Sequence, residues 1–203
     1  MLVGRRSGEL GRNELVLSRS GIGKVNAAVG ALRLIEEEKP DCVVSSGVAG
    51  GIDDSLELMD VVVATETGYH DVWCGEGNEK GQVQGLPARF ESNEVLWKAA
   101  IGGREKGVKS GLILTGDQFI TTKEELRRIK EAFPTALAVD MESAAIAQVC
   151  YIMGVPFLSM RIVSDTPGTT EDHFAQYQDF WKELSECSFR KLRTIMEEMP
   201  GEI

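Results

Sequence analysis

Two carboxylates and a methionine stand where a strand-like apolar run becomes an alanine-rich helical pattern, in AVDMESAAIA at residues 138–147. The carboxylates belong to Asp140 and Glu142, and Met141 lies between them. An acid is costly to bury without a partner, so either the junction is solvated or a ligand binds there. A carboxylate can accept two hydrogen bonds from vicinal hydroxyls such as those of a ribose, and a following helix N-terminus favours the anion. The plainer alternative is an ordinary charged residue in a first helical turn.

A further acid ends another apolar strand pattern, in RIVSD at residues 161–165. In a partly desolvated pocket, Asp165 could hold a proton near neutral pH and act as an acid. Taken alone, an aspartate in this position is more often part of a turn or a helix cap. Arg161 in the same strand either partners a carboxylate or faces solvent.

Several other unusual stretches also follow predicted strands, and ligands of open α/β sheets bind beyond the carboxyl ends of the strands. A glycine-rich segment lets the backbone approach a ligand closely, although a tight turn explains it equally well. Each stretch is weak evidence alone, but together they predict a single site assembled from several strand ends. The stretches are SGIGK (20–24), SGVAGG (46–51), TGDQFITT (115–122), DMES (140–143) and RIVSD (161–165).

Short apolar runs alternate with helical patterns, which predicts an α/β domain with a central, largely parallel sheet. The predicted strands are Glu14–Ser18, Cys42–Ser46, Val61–Thr65, Gly111–Thr115, Ala136–Val139 and Phe157–Val163. The predicted helices are Lys24–Glu38, Asn93–Lys106, Thr122–Ala132, Glu142–Met153 and His173–Met199. The apolar stripe of the last helix, which begins with Phe174, Tyr177, Phe180 and Leu184, indicates packing. Residues Asp71–Phe90 are rich in glycine and predict a long functional loop.

Composition narrows the possible functions. The chain has 203 residues, which suits a single domain, and a formal net charge of −10, which disfavours nucleic-acid binding. No run approaches the roughly 18 apolar residues of a membrane span, and the N-terminus has no signal-peptide pattern. The four cysteines form no CxxC pair and predict free thiols in the cytoplasm. With only two histidines, a histidine triad or a multi-histidine metal site is nearly excluded.

The order and spacing of five segments resemble the methylthioadenosine/S-adenosylhomocysteine nucleosidases, members of the nucleoside phosphorylase superfamily. The likeness runs from about Leu15 to Asp165 and more loosely beyond; the segments are SGIGKVNAAVGA, SSGVAGG, GDQFI, AVDMESAAIAQVC and VPFLSMRIVSD. The resemblance implies a three-layer α/β/α sandwich around a twisted mixed sheet, and a homodimer that binds a small nucleoside. It implies cleavage of the N-glycosidic bond of 5′-methylthioadenosine and S-adenosylhomocysteine, which releases adenine and the thioribose, without a cofactor.

The resemblance also implies a role for each acid and its supports. Asp165 matches the acid that protonates adenine N7, and Glu142 matches the carboxylate that holds the ribose hydroxyls. Met141 lies against the ribose. Ser164 orients the aspartate, and Arg161 supports the carboxylate cluster.

The remaining site residues follow by the same correspondence. Phe119 packs on the adenine, and Ile120 binds its edge through backbone hydrogen bonds. Ile22 is a wall of the 5′-alkylthio pocket, while Ala49 and Gly50 of the glycine segment line the substrate site.

Water is favoured over phosphate as the nucleophile. Phosphorylases of this superfamily resemble one another in placing an arginine and a hydroxyl around the glycine loop. The matching positions here are Ser45 and Val48, no arginine precedes the loop, and an anion site without donors would bind weakly.

The N-terminal segment departs from the family pattern, which opens with a strand and a turn that supplies a water-activating glutamate. Neither Glu9 nor Glu14 sits in an equivalent motif, so neither is assigned as the base. Residues 1–203 are expected to form a single nucleosidase domain without that strand. Either the true start lies upstream, which is favoured, or the chain is a natural shortened relative with weak or altered activity.

Other functions stay open on the sequence. Val48, Trp73 and Gln84 differ from the family pattern, which leaves a futalosine-type or other purine nucleoside substrate possible. A purine nucleoside phosphorylase would depend on phosphate. A nucleoside-binding relic would bind the ligand with little turnover.

Overall fold

The structure is a computed structural model that describes residues 6–103, 106–166 and 186–201. Within these residues the chain alternates between strands and helices after an initial β-hairpin. The strands are β1 (Arg6–Leu10), β2 (Asn13–Leu17), β3 (Val43–Gly51), β4 (Val61–Tyr69), β5 (Phe90–Glu91), β6 (Val108–Thr115), β7 (Ala136–Asp140) and β8 (Phe157–Asp165). The helices are α1 (Lys24–Glu38), α2 (Glu94–Gly102), α3 (Lys123–Ala132), α4 (Ser143–Met153) and α5 (Glu186–Glu197).

The main sheet is mixed and has the strand order β5-β4-β6-β7-β3-β8. Strands β4, β6 and β7 run parallel to one another, and β3 runs parallel to β8. The two groups join antiparallel, through β3 with β7 on one side and β4 with β8 on the other. The additional β4–β8 pairing closes the sheet on itself. The expected mixed α/β architecture is therefore confirmed.

The inside of the closed sheet holds a small apolar cluster. Alternate residues of a strand point to opposite faces, so Val62 of β4 faces inward while Val61 and Val63 pack outward. Small inward side chains let the strands approach across the interior. The inner cluster comprises Ala49, Leu56, Val62, Ala64, Ile113, Ala138 and Val163.

Helices cover the outer face in three groups. Helices α1 and α4 pack together through alanines such as Ala27 and Ala144, each with no exposed surface. Helices α2 and α5 cover β4 and β8, and α3 covers β6 and β7. The small alanine side chains bring α1 close to α4, which places the beginnings of both helices at the same end of the sheet.

Local sequence explains where two of the helices, α2 and α3, begin. Helix α1 has the predicted bounds. Helix α3 starts one residue late because Thr122 is its N-cap, in a capping box with Glu125. Helix α2 starts at Glu94 because the Asn93 side chain accepts a hydrogen bond from the Leu96 amide, at 3.1 Å.

Two predictions about elements were wrong, and two strands were missed. Helix α2 ends at Gly102, short of the predicted Lys106, since two consecutive glycines stabilise a helix poorly. The SGVAGG segment is not a loop after β3 but its second half, where it pairs with both β7 and β8. Strands β1 and β5 were not predicted. Strand β1 (Arg6–Leu10) pairs with β2 (Asn13–Leu17), and β5 (Phe90–Glu91) pairs with β4.

The predicted C-terminal helix falls only partly within the described residues. Residues His173, Phe174, Tyr177, Phe180 and Leu184 of the predicted helix lie outside the described residues. The described part, α5, buries Leu192 and Ile195 against α2 and the sheet, as the predicted packing stripe requires. The β1–β2 hairpin meets the end of this helix, where Asn13 donates a hydrogen bond to the Met199 carbonyl oxygen at 3.4 Å.

Candidate active site

The candidate site lies along a row of neighbouring strand ends. Gly50 of β3 pairs with Val139 of β7 on one side and with Asp165 of β8 on the other. Because adjacent strands are about 4.8 Å apart, the ends of β7 and β8 flank Gly50. Asp140, the last residue of β7, pairs in turn with Thr115 at the end of β6.

Asp140 is the buried centre of this row, with a side chain that is only 1% exposed. Its carboxylate accepts hydrogen bonds from the Thr115 hydroxyl at 2.5 Å, from the Ser143 hydroxyl and from the Ser143 amide at 3.1–3.2 Å. Arg161 Nε lies 2.8 Å from Asp140 Oδ2. A buried charge is tolerated when it is paired and fully hydrogen-bonded. Asp140 therefore holds β6, β7, β8 and the start of α4 together.

Arg161 is buried beneath the glycine segment of β3. Besides the ion pair with Asp140, its Nη1 donates to the Met160 carbonyl oxygen at 3.1 Å and its Nη2 to Ser45 Oγ at 2.9 Å. The guanidinium packs against Gly47. Each of its three nitrogens thus donates a hydrogen bond within the protein, and its ion pair is with Asp140 rather than with Glu142.

Glu142 occupies the N-cap position of α4, but its side chain does not cap that helix. Asp140 does so, through the Ser143 amide, and Glu142 is free to reach a different element. Its Oε1 accepts a hydrogen bond from the Gly23 amide at the start of α1, at 2.9 Å. A carboxylate can accept several more hydrogen bonds, which suits it to bind a polyol.

Burial raises the pKa of Glu142 above its usual value. The Gly23 amide lowers this pKa because it stabilises the anion. The negative charge of Asp140 raises the pKa further, and the Arg161 guanidinium lowers it. Glu142 is half-buried, and the loss of hydration is the largest of these effects on its pKa.

Asp165 ends β8 and is 3% exposed. The Ser164 hydroxyl donates to Asp165 Oδ1 at 2.7 Å and lies 3.3 Å from the carbonyl oxygen of Ala49. Ser164 is thus placed to restrict the rotation of the Asp165 side chain, as the predicted orienting role requires. Ala49 and Gly50 form the strand beside it.

The other predicted site residues lie at the neighbouring loop ends. Phe119 follows β6 and is 39% exposed, whereas Ile120 is buried against α3 and β6. Ile22 precedes α1 and is 69% exposed, and Met141 is half-buried between the two acids.

Sequence reasoning singled out Asp140 as an acid at a possible ligand site, but it missed the structural role of Asp140 and of the hydroxyl residues around it. Asp140, Thr115 and Ser143 form a buried network, and Ser143 Oγ also lies 2.6 Å from Ser159 Oγ. A carboxylate directly before an apolar helix start is the pattern of a capping residue, which could have identified Asp140. Thr115 and Ser159 carried no such signal.

His70 and Gly116 meet beside this network. The His70 amide donates to the Thr115 carbonyl oxygen at 3.0 Å, and the Gly116 amide donates to the Asp140 carbonyl oxygen at 3.1 Å. The His70 ring lies where a Cβ at position 116 would stand, so only glycine fits there. Burial lowers the pKa of His70. The start of segment 115–122 is therefore held by backbone hydrogen bonds to His70 on one side and to Asp140 on the other.

The described residues contain neither a cluster of metal ligands nor a membrane-spanning helix. Among the described residues, no three His, Cys, Asp or Glu side chains come together as metal ligands. In the same part of the chain, every helix is too short or too polar to cross a lipid bilayer.

Comparison with known proteins gives consistent matches over most of the chain. The model of the phosphorylase superfamily matches residues 5–197. A 5′-methylthioadenosine/S-adenosylhomocysteine nucleosidase of Actinobacillus succinogenes is 46% identical over 162 residues, which cover 78% of this chain and 70% of that protein. The enzyme of the same name from Staphylococcus aureus is 43% identical over 163 residues, which cover 78% and 72% of the two chains.

Solved structures agree with the sequence matches. The nucleosidase of Neisseria meningitidis, solved with methylthio-immucillin-A, superposes with a TM-score of 0.87 at 37% identity and covers 98% of this chain and 88% of that one. The nucleosidase of Colwellia psychrerythraea, solved with adenine, gives a TM-score of 0.88 at 36% identity and covers 98% and 84%.

Proposed function

This chain belongs to the phosphorylase superfamily and, within it, to the 5′-methylthioadenosine/S-adenosylhomocysteine nucleosidases, and we propose that it hydrolyses the N-glycosidic bond of those two nucleosides. Adenine and the thioribose are the products. The observation that carries the proposal is the row of strand ends, in which Gly50 pairs with Asp165 on one side and, on the other, with Val139, three residues before Glu142.

The two acids divide the work of bond cleavage. A purine anion leaves poorly, so Asp165 as general acid gives a proton to adenine N7 and makes the base a neutral leaving group. The sugar becomes oxocarbenium-like as the bond breaks. Glu142 accepts hydrogen bonds from the ribose hydroxyls, and its negative charge stabilises the positive charge that develops on the ring.

The remaining residues position the substrate. Phe119 stacks on the purine and Ile120 binds its edge through the backbone. Met141 packs against the ribose, and Ile22 contributes a wall of the 5′ pocket. Half-buried and exposed apolar side chains beside two acids suit a nucleoside, which has an apolar base and a polar sugar.

Water is the nucleophile in this proposal. A phosphate would need free donors at the glycine segment. The guanidinium beneath that segment already donates to Asp140, Ser45 and the backbone, and it is 2% exposed. Glu9 and Glu14 are exposed and face each other in the β1–β2 hairpin, so neither is assigned as the base that activates water.

The proposal includes a homodimer. Helix α1 presents Val25, Val29 and Leu32 at positions i, i+4 and i+7, and these side chains are 74%, 51% and 38% exposed. Such spacing forms a continuous apolar stripe on one helix face, and exposed apolar patches mark interaction surfaces. Ile22 and Trp73 are 69% and 67% exposed. A second copy that covers the stripe would bury it.

We also place residues 1–203 in a single nucleosidase domain that acts in the cytoplasm. The free thiols of Cys42, Cys74 and Cys150 support a reducing compartment.

Adenine release from 5′-methylthioadenosine, with and without phosphate, tests the function. Hydrolysis predicts the same rate in both buffers. Release that requires phosphate would instead identify a phosphorylase, and tight binding without release would identify a nucleoside-binding protein.

A further inference from the structure

The N-terminus of α1 is capped by other elements rather than by its own side chain. Gly23 is the N-cap residue, with a φ of 90° that favours glycine, and it has no side chain with which to cap the helix. The Gly23 amide donates to Glu142 at 2.9 Å, and the Lys24 amide donates to Asp117 Oδ1 at 2.8 Å. Two carboxylates from the ends of two other strands therefore meet at one helix N-terminus, where the helix dipole favours both anions.

A third carboxylate connects these contacts through the Lys24 side chain. Lys24 Nζ lies 2.7 Å from Asp71 Oδ2 and 3.8 Å from Asp117 Oδ2. Asp71 Oδ2 also accepts a hydrogen bond from the Asp117 amide at 2.9 Å. Lys24, Asp71 and Asp117, here called the latch, thus join the start of α1, the end of β4 and the segment that carries Phe119.

The Lys24–Asp71 pair of the latch is more buried than an ordinary surface ion pair, whereas the Asp117 side chain is 48% exposed. The side chains of Lys24 and Asp71 are 24% and 18% exposed, whereas those of the Lys98–Glu94 pair on α2 are 59% and 70% exposed. Lys24 Nζ lies 5.5 Å from the centre of the Tyr69 ring, whose hydroxyl donates to Gln148 of α4 at 2.7 Å. Burial alone would raise the pKa of Asp71, but the Lys24 ammonium and the Asp117 amide outweigh it and leave that pKa below its usual value.

We infer that Lys24, Asp71 and Asp117 are positioning residues that hold the purine-binding segment 117–120 in register with Glu142. The inference rests on the proposed function, because it takes Phe119 and Ile120 as the purine site and Glu142 as the ribose site. The helix fixes both sites at once: the Gly23 amide holds Glu142, and the next amide holds Asp117. Without the latch, the base and the sugar of one nucleoside would no longer be held at a fixed separation.

Substitution of Lys24 tests this role. Lys24→Met keeps the aliphatic stem and removes the ammonium, and we expect it to weaken adenine binding and to lower kcat/KM about tenfold to a hundredfold, since small misplacements of a bound substrate have effects of that size. Asp71→Asn should act in the same direction. The double variant should be little worse than either single variant, because both remove the same coupled contact. Lys24→Arg should recover a large part of the loss.

Calorimetric titration with adenine distinguishes positioning from folding. A positioning role predicts a higher Kd with an unchanged number of sites per chain. A purely structural role predicts fewer sites with an unchanged Kd, and that result would overturn the inference. Lys98→Met, which removes an exposed ion pair on α2, is the matched control and should leave Kd and kcat/KM unchanged.

The same experiments separate this inference from the proposed function. If the unaltered protein binds adenine but releases none from 5′-methylthioadenosine, the proposed function fails, and the Kd values still decide on the latch. If the unaltered protein hydrolyses the nucleoside and Lys24→Met retains both its kcat/KM and its affinity for adenine, the latch alone is contradicted.

Discussion

Two neighbouring carboxylates, Asp140 and Glu142, have different surroundings and so different uses. Asp140 is surrounded by donors from Thr115, Ser143 and Arg161, which saturate it. Glu142 accepts from the Gly23 amide and remains half-buried. Because Asp140 caps α4, Glu142 need not do so. Asp140 therefore has a structural role at this junction, and in the proposed function Glu142 is the acid that binds the ribose.

Removal of the two proposed catalytic acids should have distinct effects. Asp165→Asn cannot protonate the purine, so we expect kcat to fall by about 10² to 10⁴. Glu142→Gln keeps the shape but loses the charge that stabilises the sugar cation, and kcat/KM should fall by about 10² to 10³. Steady-state assays of adenine release measure both. Asp54→Asn, at an exposed position, should retain the full rate, and retention of that rate by Asp165→Asn would exclude it as the acid.

The raised pKa of Glu142 predicts a pH dependence of activity. The anion is the form that accepts hydrogen bonds from ribose hydroxyls, so kcat/KM should decline on the acid side at a higher pH than an ordinary glutamate would give. A profile whose acid limb lies at or below the usual glutamate pKa would contradict the assignment.

The same shift predicts a pH dependence of stability. A pKa that is higher in the folded state means that the folded state binds the proton more tightly, so the stabilisation is present below the unfolded pKa and is lost as the pH rises through the folded pKa. The Glu142→Gln protein has no ionisable group at position 142. As the pH rises from the unfolded to the folded pKa of Glu142, its free energy of unfolding should therefore fall less than that of the unaltered protein. Urea unfolding at a pH below and a pH above the range measures the difference. An equal decrease in the free energy of unfolding of the two proteins would contradict this prediction.

At the scale of elements, the ends of β6, β7, β3 and β8 bring together residues that are far apart in sequence. Thr115, Asp140, Gly50 and Asp165 come from four strands and lie in one row. The buried Asp140–Arg161 pair ties β7 to β8, although the strand that separates them along the sheet is β3. The site therefore depends on the sheet as a unit.

Asp140→Ala tests this dependence. The change leaves the Arg161 guanidinium buried without its counter-ion, and loss of one partner of a buried pair costs about 3–5 kcal/mol. We expect a loss of that size in the free energy of unfolding, measured by urea titration. Glu94→Ala, which breaks an exposed pair, should leave the free energy of unfolding nearly unchanged. An equally small loss for both variants would show that Asp140 is not the structural centre of the site.

Sequence reasoning predicted the starts of helices α1 to α4 to within one residue. Helix α1 had the predicted bounds, and Thr122 and Asn93 shift their helices by one residue because they act as caps. It failed at the second half of β3, since glycine has low strand propensity and only the pairing with β7 and β8 holds that segment extended. The same reason applies to the two-residue strand β5, which exists through its pairing with β4.

The candidate site was predictable only in part. Glu142 and Asp165 carry a sequence signal because acids at strand ends are unusual. Lys24 and Asp117 lie in stretches that the sequence singled out, and Asp71 begins the predicted loop, but their meeting was not predictable because it depends on the positions of α1, β4 and β6. The residues that these contacts join lie 46 to 93 positions apart in the sequence.

At the scale of the whole molecule, the exposed apolar stripe of α1 is the feature that a single chain does not explain. The proposed homodimer buries Val25, Val29 and Leu32, and it covers the helix whose N-terminus holds Glu142. Assembly and activity should therefore be linked.

Val25→Glu tests the proposed interface. A charge at this exposed position costs little in a monomer but cannot be buried in a contact without a partner. We expect light scattering after size-exclusion chromatography to show a dimer for the unaltered protein and a monomer for the variant, with a lower rate of adenine release. Val95→Glu, at a 50%-exposed valine on α2, is the control and should remain dimeric. A monomeric unaltered protein would contradict the proposal.

The most direct test of the central claim is the fate of the oxygen that replaces adenine. The unaltered protein is incubated with 5′-methylthioadenosine in heavy-oxygen water, in the absence of phosphate, and the sugar product is analysed by mass spectrometry. Hydrolysis at the site formed by Glu142 and Asp165 predicts adenine release and a thioribose that carries one heavy oxygen, together with little of either product from Asp165→Asn. Absence of adenine release, or a sugar phosphate that forms only when phosphate is added, would contradict the account.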